Sequence, residues 1–501
     1  MIYVLIWFDV EDYFSADSDD ADMRAAQIAS DAGVPVTVKV VGEKARALEK
    51  NGRQDVIRAL ARHAVGYHSN WHSRPPTIAA YLADLEWEDG VSEFEERERQ
   101  GFEDVRRIFG QDPICFGQPG PSWAPQIYPA LREWNIPLYL DEAAHVGLPT
   151  EQPFWFQSML HIFNLRRNAI KMEFGSAADF EQTCKLFKAA YERISTNNGS
   201  GLISLYYHPQ EFIYRGFSDE INFGGGTNPS SCSWQTFQQR TCSEVRSAYQ
   251  HYERLLQFMS SFHEVCFINA RQALNLYAEP VVPSDVSPQL VFELAEKVQR
   301  EITFHQAGDY CFSAAEIFEL LVKWLASRLQ LPVELSEGIH RTIGGPTRRS
   351  VLRPIDKPVP WPEFEHSVRE VACFVEEHRQ IPSVIHLGEQ CSSPENFLAN
   401  LGKVVGSLVK QGKPPATLKW QRGMFTAGEY AAQDSPELWA WPIFPSSFRA
   451  PNLMRLARLQ TWTIKPATLQ PYLETGLGKV SQTEGSNESE DVRRPHSAYP
   501  T

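Results

Sequence analysis

The sequence predicts an α/β fold that is followed by a mainly helical region. Over residues 1–278, apolar runs of strand length alternate with amphipathic runs of helix length, which is typical of α/β folds. Ionisable side chains stand at the ends of several apolar runs, where such folds place their sites. After a proline-containing stretch at residues 279–288, strand-like runs become rare.

The first element is an apolar run at residues 2–8, predicted to be a buried strand because it is short and ends at Asp9. Further strands are predicted at residues 36–41, 65–68, 114–116, 138–140, 202–207 and 265–268. Helices are predicted at residues 20–32, 43–51, 54–64, 93–109, 180–195 and 242–262. Glycines and prolines within residues 213–234 interrupt the alternation and predict a long loop.

Residues 289–475 are predicted to form a mainly helical C-terminal domain with a weak internal duplication. Two copies of one pattern, near Phe312 and Ser392, each contain a capped helix with an apolar stripe and then a strand-like piece. The pattern faintly resembles repeats that bind pseudomurein-type cell-wall polymers. A packing or dimerisation domain fits it at least as well, so a homo-oligomer stays open. Residues 481–501 are polar and are predicted to be disordered.

Charge and hydropathy argue against several classes of partner. The 501-residue chain has a formal net charge of −14, which disfavours nucleic acid and anionic lipid. The apolar run at residues 2–8 is too short to span a bilayer and lacks the flanks of a signal peptide. We therefore expect no membrane insertion and a cytoplasmic location, unless an upstream start codon hides an export signal.

Three acidic residues end the first apolar run. In an extended chain Asp9 and Glu11 point to one face and Asp12 to the other. One carboxylate can therefore bind a metal while another stays free as a base. A polar turn that simply ends the strand is the alternative interpretation.

Histidines follow two later strands. His68 and His72 are four residues apart, so a helical or turn-like backbone places both rings on one side, where they can bind one metal ion. His208 ends an apolar run and precedes Pro209. A histidine there can donate a proton near neutral pH, or it can be a satisfied core residue. Carboxylate and imidazole together suit zinc and similar divalent ions.

These segments resemble the polysaccharide deacetylase family, the NodB-like carbohydrate esterases of family 4. The resemblance covers about the first 275 residues and rests on the order and spacing of three motifs. The motifs are Phe8-Asp9-Val10-Glu11-Asp12-Tyr13-Phe14, His68-Ser69-Asn70-Trp71-His72 and Tyr207-His208-Pro209. Residues 37–42 and 267–271 also resemble the family's second strand and the end of its last strand.

The resemblance implies a distorted, TIM-like (β/α) barrel, often of seven strands. It also implies a divalent metal, most simply zinc, held by two histidines and one carboxylate. Asp9 would be the general base and His208 the general acid, while the choice between two acids as the third ligand stays open. The candidate ligands are Glu11, Asp12, His68 and His72.

One motif departs from the family pattern. The family usually carries an arginine that orients the base, and Gly117 stands in its place. Gln118 can orient Asp9 by a neutral hydrogen bond, or it is a turn residue. Asp141 can support the late histidine or merely end a strand. Trp123 can wall the sugar site or merely pack.

We therefore expect a metal-dependent hydrolase that removes N-acetyl groups from an amino sugar or polysaccharide and releases acetate. Two other functions stay open on the same barrel. Gly117 and the helical repeats favour a carbohydrate-recognition protein that has lost turnover. A hydrolase of another C–N amide bond, such as that of a cyclic ureide, is the second.

Overall fold

The structure, a computed structural model, describes residues 1–197, 199–279, 286–336, 338, 343–349 and 352–470. Residues 1–469 form one compact unit. Most of the predicted linker at residues 279–288 lies outside the described residues, and so do the predicted disordered tail at residues 481–501 and the predicted end of the C-terminal domain at residue 475.

A large sheet forms the first part of the molecule. Its strands are β1 (Ile2–Val10), β2 (Thr37–Val40), β3 (Ala64–Tyr67), β4 (Cys115–Phe116), β5 (Leu138–Leu140), β6 (Phe154–Phe156), β7 (Met159–Ile162), β8 (Ala169–Lys171), β9 (Gly201–Tyr207) and β10 (Val265–Ile268). They are ordered β6-β7-β5-β4-β3-β2-β1-β9-β8, with β10 also paired to β1. Among these ten strands, β6 and β7 form the one antiparallel pair. Every strand predicted within residues 1–278 is present, whereas β6, β7 and β8 were not predicted.

Strand β1 holds the centre of this sheet. All nine of its residues are buried, because other strands pair with it along both edges. Strand β9 pairs with Ile2–Phe8, while β10 pairs with Ile2–Leu5 and β2 with Trp7–Val10 on the opposite edge. A parallel strand covered in this way is expected to be continuously apolar, and Asp9 is the one residue of β1 that departs from this.

The predicted fold class is confirmed: a distorted (β/α) barrel is followed by a mainly helical C-terminal region. The barrel stays open, since β8 pairs with no described strand other than β9. Its helices are α1 (Ala16–Asp31), α2 (Gly42–Lys50), α3 (Gln54–Leu60), α4 (Ile78–Leu82), α5 (Trp87–Phe109), α6 (Tyr128–Glu133), α7 (Ala177–Asn197), α8 (Ser218–Phe223), α9 (Cys242–Ser260) and α10 (Ala270–Leu276). No described helix is long and apolar enough to cross a membrane.

The C-terminal region contains two helix–hairpin–helix units. Its helices are α11 (Pro288–Val298), α12 (Ala314–Arg328), α13 (Trp361–His378), α14 (Pro394–Gln411) and α15 (Pro451–Gln460). Its strands are β11 (His305–Ala307), β12 (Tyr310–Phe312), β13 (Val359–Pro360), β14 (Ile385–Leu387), β15 (Gln390–Ser392) and β16 (Thr417–Leu418). The hairpins β11–β12 and β14–β15 turn at Gly308 and Gly388, with φ of 58° and 61°, which glycine adopts without strain. The two helices of the predicted duplication are α12 and α14, and each follows a hairpin.

The end of the described chain returns to the barrel. Trp439, Phe444 and Leu453 are buried in the same hydrophobic core as the barrel strands. A last strand, β17 (Lys465–Pro466), pairs antiparallel with β6 and extends the sheet. Segments far apart in the sequence therefore share one core.

Helix α5 packs closely on the loop that follows β3. Its apolar stripe, which includes Phe94 and Phe102, is buried. A Cβ atom at Gly101 would lie 2.7 Å from Asn70 Cα and 2.7 Å from the Tyr67 hydroxyl. Glycine is therefore what lets the helix approach the His68–His72 loop so closely.

We expect Gly101→Ala to lower the free energy of unfolding by about 1–3 kcal/mol, because the added methyl forces the helix or the loop to move. Urea unfolding followed by circular dichroism measures the change. Ser92→Ala, at an exposed position of α5, is the control and should shift the free energy by less than about 0.5 kcal/mol. Equal unfolding midpoints for the two variants would contradict the close contact.

Candidate metal centre

The carboxyl ends of neighbouring parallel strands bring most of the predicted site residues together. Asp9 lies on β1, Glu11 directly follows that strand, His68 follows β3 and His208 follows β9. Because β3, β2, β1 and β9 are consecutive neighbours in the sheet, their carboxyl ends share one edge. His72 reaches the same edge through the turn after His68.

Glu11, His68 and His72 each present one ligand atom to a common point. Glu11 Oε2 lies 3.4 Å from His68 Nε2 and 2.9 Å from His72 Nε2, and all three residues are buried. Tetrahedral ligands placed about 2.0–2.2 Å from a zinc ion are roughly 3.3–3.6 Å apart. The donor set suits a divalent cation, and the Glu11–His68 separation matches this spacing. Glu11 and His72 lie closer together, at the distance of a direct ion pair. Asp9, Glu11 and His208 form a second, overlapping group of potential ligand atoms.

Hydrogen bonds orient both imidazoles toward Glu11. His68 Nδ1 donates to the Gly117 carbonyl at 2.9 Å, which leaves the Nε2 lone pair free. The Ser73 hydroxyl donates to Asp219, so His72 Nδ1 donates to the Ser73 oxygen at 2.5 Å. Such partners on the far nitrogen fix the tautomer that a metal-binding histidine needs.

The local backbone explains how two histidines in one short loop converge. The segment is a turn rather than a helix, and Ser69 and His72 both have positive φ, at 64° and 52°. The His72 amide donates to the Ser69 hydroxyl at 3.1 Å, which closes the turn. Left-handed residues other than glycine are uncommon and cluster at functional sites.

Electrostatics in the cluster favour positive charge beside Glu11. Burial opposes ionisation of Glu11, but the charges of His72 and His208 outweigh it and hold the pKa of Glu11 well below its usual value. Burial likewise opposes protonation of both histidines, yet the Glu11 carboxylate leads the opposing effects and raises the pKa of His72 to about 10 and that of His208 to about 9. A divalent cation satisfies the same demand for positive charge.

Asp12, the rival candidate ligand, points away from the histidines. Its Oδ1 accepts the Phe14 amide at 2.9 Å, and its backbone carbonyl accepts Lys44 Nζ at 2.7 Å. Burial raises the pKa of Asp12 to about 6. The opposite orientation agrees with the alternation expected along the extended chain and leaves Glu11 as the acid that faces both rings.

His208 is held by Glu211 and not by Asp141. Glu211 Oε1 lies 2.8 Å from His208 Nδ1, while His208 Nε2 lies 3.6 Å from Asp9 Oδ2. The expectation for Asp141 is wrong because β5 is separated from β9 by four other strands. Glu211 was missed although it stands only three residues after the histidine, in a single helical turn that begins at Pro209.

A buried lysine that the sequence analysis did not single out holds the predicted base. Lys39 lies on β2, next to β1, and its Nζ is 3.0 Å from Asp9 Oδ1 and 2.5 Å from Asp141 Oδ2. Burial opposes the charge of Lys39, but the Asp141 and Asp9 carboxylates together raise its pKa. The lysine is therefore a cation that fixes one oxygen of Asp9 and leaves the other facing His208.

Lys39 also accounts for the glycine in place of the expected arginine. A Cβ atom at Gly117 would collide with Lys39 Nζ, the Asp141 carboxylate and the Leu140 carbonyl, so any larger residue there would displace the ion pair. Gln118 does not orient the base as expected. Its Oε1 accepts the Tyr139 hydroxyl at 2.6 Å, and its Nε2 donates to the Gly120 carbonyl at 3.0 Å.

Trp123 packs in the core and does not wall the site. It is fully buried, donates to the Tyr128 hydroxyl at 3.1 Å and stacks on His145. The tryptophan beside the site is Trp441, from the returning C-terminal segment. Its ring lies edge-on to His72 with 6.2 Å between ring centroids and covers Gly120, where a Cβ atom would come within 2.7 Å of it.

A cleft of about 270 Å³ opens onto these residues. The carboxylates and imidazoles line it, and Lys171 and Glu142 add further charge to the lining. The aromatic rings that line it are Trp7, Tyr206, Phe217 and Trp441. The cleft thus combines reactive polar groups with apolar faces, as small-molecule sites commonly do.

No protein-family model and no curated protein matches the chain. Solved structures to which it is similar include a Mycobacterium smegmatis protein provisionally assigned as a polysaccharide deacetylase, with 12% identity, coverage of 55% of this chain and 89% of that chain, and a TM-score of 0.38. A Pseudomonas aeruginosa PAO1 protein with the same provisional assignment has 14% identity, coverage of 55% and 91%, and a TM-score of 0.34. A Streptomyces lividans family 4 carbohydrate esterase in complex with acetate has 12% identity, coverage of 53% and 90%, and a TM-score of 0.28. Likenesses this distant leave the function to be inferred from the site itself.

We expect the purified, metal-stripped protein to take up about one zinc ion per chain and Glu11→Gln to lose most of it. Asp12→Asn is the matched control and should keep the zinc, because Asp12 points away from the histidines. Inductively coupled plasma mass spectrometry after gel filtration measures the zinc content of the wild type and of each variant. Zinc retained by Glu11→Gln and lost from Asp12→Asn would reverse the assignment.

Lys39→Met is expected to destabilise the protein by roughly 3–5 kcal/mol, because it leaves two buried carboxylates without their cation. Adding Asp141→Asn should recover part of the loss, since one carboxylate is then neutral. Lys171→Met, which removes a partly exposed ion pair with Glu211, is the control and should cost less than about 1 kcal/mol. Urea unfolding measures all three, and a Lys39→Met loss no larger than the control's would contradict a compensating role for Lys39.

Proposed function

We propose that this protein is a metal-dependent hydrolase that removes N-acetyl groups from an amino sugar or polysaccharide and releases acetate. The observation that carries the proposal is the convergence of Glu11, His68 and His72 on one point with Asp9 and His208 beside it. These residues would supply metal ligands, a base and an acid around one position.

Glu11, His68 and His72 would hold the metal, and zinc suits a site of two imidazoles and one carboxylate. When bound, a divalent metal supplies Lewis acidity toward water and toward a carbonyl oxygen. The other steps belong to the side chains around it, which bind and orient the substrate and move protons.

Asp9 would accept a proton from the attacking water. Lys39 occupies its Oδ1, so the carboxylate stays fixed and the free Oδ2 lies on the side of His208. His208 Nε2 would then donate a proton to the departing amine, while Glu211 holds the ring through Nδ1 and favours its protonated form. The products would be acetate and a free amino sugar.

The cleft supports a carbohydrate substrate. Trp441, Tyr206 and Phe217 present aromatic rings at its walls, and sugar rings pack their apolar faces on aromatic side chains while polar groups hold their hydroxyls. The cleft of about 270 Å³ has room for a single sugar unit or a side group of a longer saccharide.

The loss of the family's arginine gave the main reason for a recognition protein without turnover. Lys39 supplies a cation to Asp9 from another strand, so this reason is weakened. Hydrolysis of another C–N amide would use the same side chains, and only the substrate separates it from deacetylation. A panel of amides therefore belongs in the test.

Incubating the zinc-loaded protein with N-acetylated oligosaccharides should release acetate, measured by an enzyme-coupled assay, and Asp9→Asn should lower kcat by about 10²–10⁴-fold because the general base is lost. Asp31→Asn, an exposed acid of α1, should leave the rate unchanged. Equal background rates for wild type and Asp9→Asn would contradict the proposal. Turnover of a cyclic ureide and not of acetylated saccharides would redirect it to the other amide.

A further inference from the structure

A second cleft, in the C-terminal region, is lined by arginines. It has a volume of about 520 Å³, within the range of small-molecule sites. The arginines that line it are Arg348, Arg349, Arg422, Arg455 and Arg458. Glu395 is the acidic residue among its described lining. None of these residues lines the metal-centre cleft.

Most of this positive charge is not paired with a described carboxylate. Arg455 pairs with Glu86 at 2.7 Å, and Arg458 Nε donates to the Gly428 carbonyl at 3.4 Å. None of these guanidinium groups other than that of Arg455 forms an ion pair with a described residue. The whole chain carries a net charge of −14, so the arginines are concentrated here against the overall balance. Like charges in one cleft repel each other and focus a positive potential, which a bound anion would relieve.

The start of a long helix opens into the same cleft. Ser393, Pro394, Glu395 and Asn396 line it at the beginning of the 18-residue helix α14. Ser393 Oγ is buried and has no hydrogen-bond partner among the described residues. The first amides of a helix have no partner within the helix and bear partial positive charge, so this end of the cleft offers further donors to an anion.

A close backbone contact at Gly423 places the adjacent Arg422 near the N-terminus of α14. The Gly423 amide donates to Asn396 Oδ1 at 2.8 Å. A Cβ atom at Gly423 would collide with the Glu395 carbonyl, so only glycine allows the approach. The adjacent Arg422 is thereby brought close to the N-terminus of α14, and it lines the same cleft as Arg348 and Arg349.

We propose that this cleft binds a small organic ligand carrying at least two phosphate groups. Guanidinium groups match phosphate oxygens in pairs, and several arginines with a helix N-terminus suit more than one phosphate. The lining residues Leu352, Phe425 and Leu459 give an apolar wall for the organic part. Phe425 is backed by Trp462, on which it stacks with 4.9 Å between ring centroids.

Isothermal titration calorimetry of the full chain with inorganic pyrophosphate and with a nucleoside diphosphate tests the proposal. Both probes should bind at one site, and the nucleoside diphosphate should bind more tightly because it also reaches the apolar wall. Affinity should fall as salt rises. The double variant Arg348→Gln/Arg422→Gln should bind at least about tenfold more weakly, because two charge-assisted contacts are lost.

The control double variant is Arg58→Gln/Arg62→Gln, which removes the same charge from exposed arginines of the barrel and should leave binding unchanged. Ser393→Ala removes one neutral donor and should weaken binding less than the arginine double variant does. It provides a second test in case the arginine double variant misfolds. Absence of binding heat with both probes, or equal losses in the two double variants, would overturn the proposal.

A single-stranded oligonucleotide is the third probe. Binding of the oligonucleotide at least tenfold tighter than that of pyrophosphate would also overturn the proposal, because it would indicate an extended polymer. The titrations need no turnover at the metal centre, so their outcome is independent of the hydrolase activity.

Discussion

The site depends on one buried lysine between two buried carboxylates. Lys39 reaches Asp9 on one side and Asp141 on the other, and a single buried charge of either sign would be costly. The ion pair requires β2 to lie beside β1, and it requires a glycine at position 117. A constraint on one side chain thus reaches across β1, β2, β4 and β5, and it sets the direction in which Asp9 points.

Around Asp9, each of the three histidines makes a hydrogen bond through its Nδ1 atom, and the partner differs from one histidine to the next. His68 and His72 are tied through Nδ1 to a carbonyl and to a hydroxyl, which leaves Nε2 for a metal. His208 is tied through Nδ1 to a carboxylate, which favours the protonated ring that an acid needs. The outer partners therefore fix which ring nitrogen of each histidine faces the cluster.

The C-terminal region contributes a residue to the metal-centre cleft. Its returning segment places Trp441 over Gly120 and beside His72, so one wall of the metal-centre cleft comes from residues more than three hundred positions away from that histidine. The arginine cleft is likewise assembled from separate segments of this region. Polymer binding by this region, or dimerisation through it, stays a prediction from the sequence.

The sequence alone determined the alternation of strands and helices, the strand ends on which the site stands, and the acids and histidines offered there, because burial and strand period are local patterns. It left the choice between Glu11 and Asp12 open. For Gln118, Asp141 and Trp123 it left open a role at the site and a purely structural one, and the structure does not show the contacts that the site roles required. Only the tertiary structure brought Lys39, Glu211 and Trp441 to the site. A lysine in an apolar strand carries no local sign of its partner, since ion pairs and ring contacts between strands depend on which strands become neighbours.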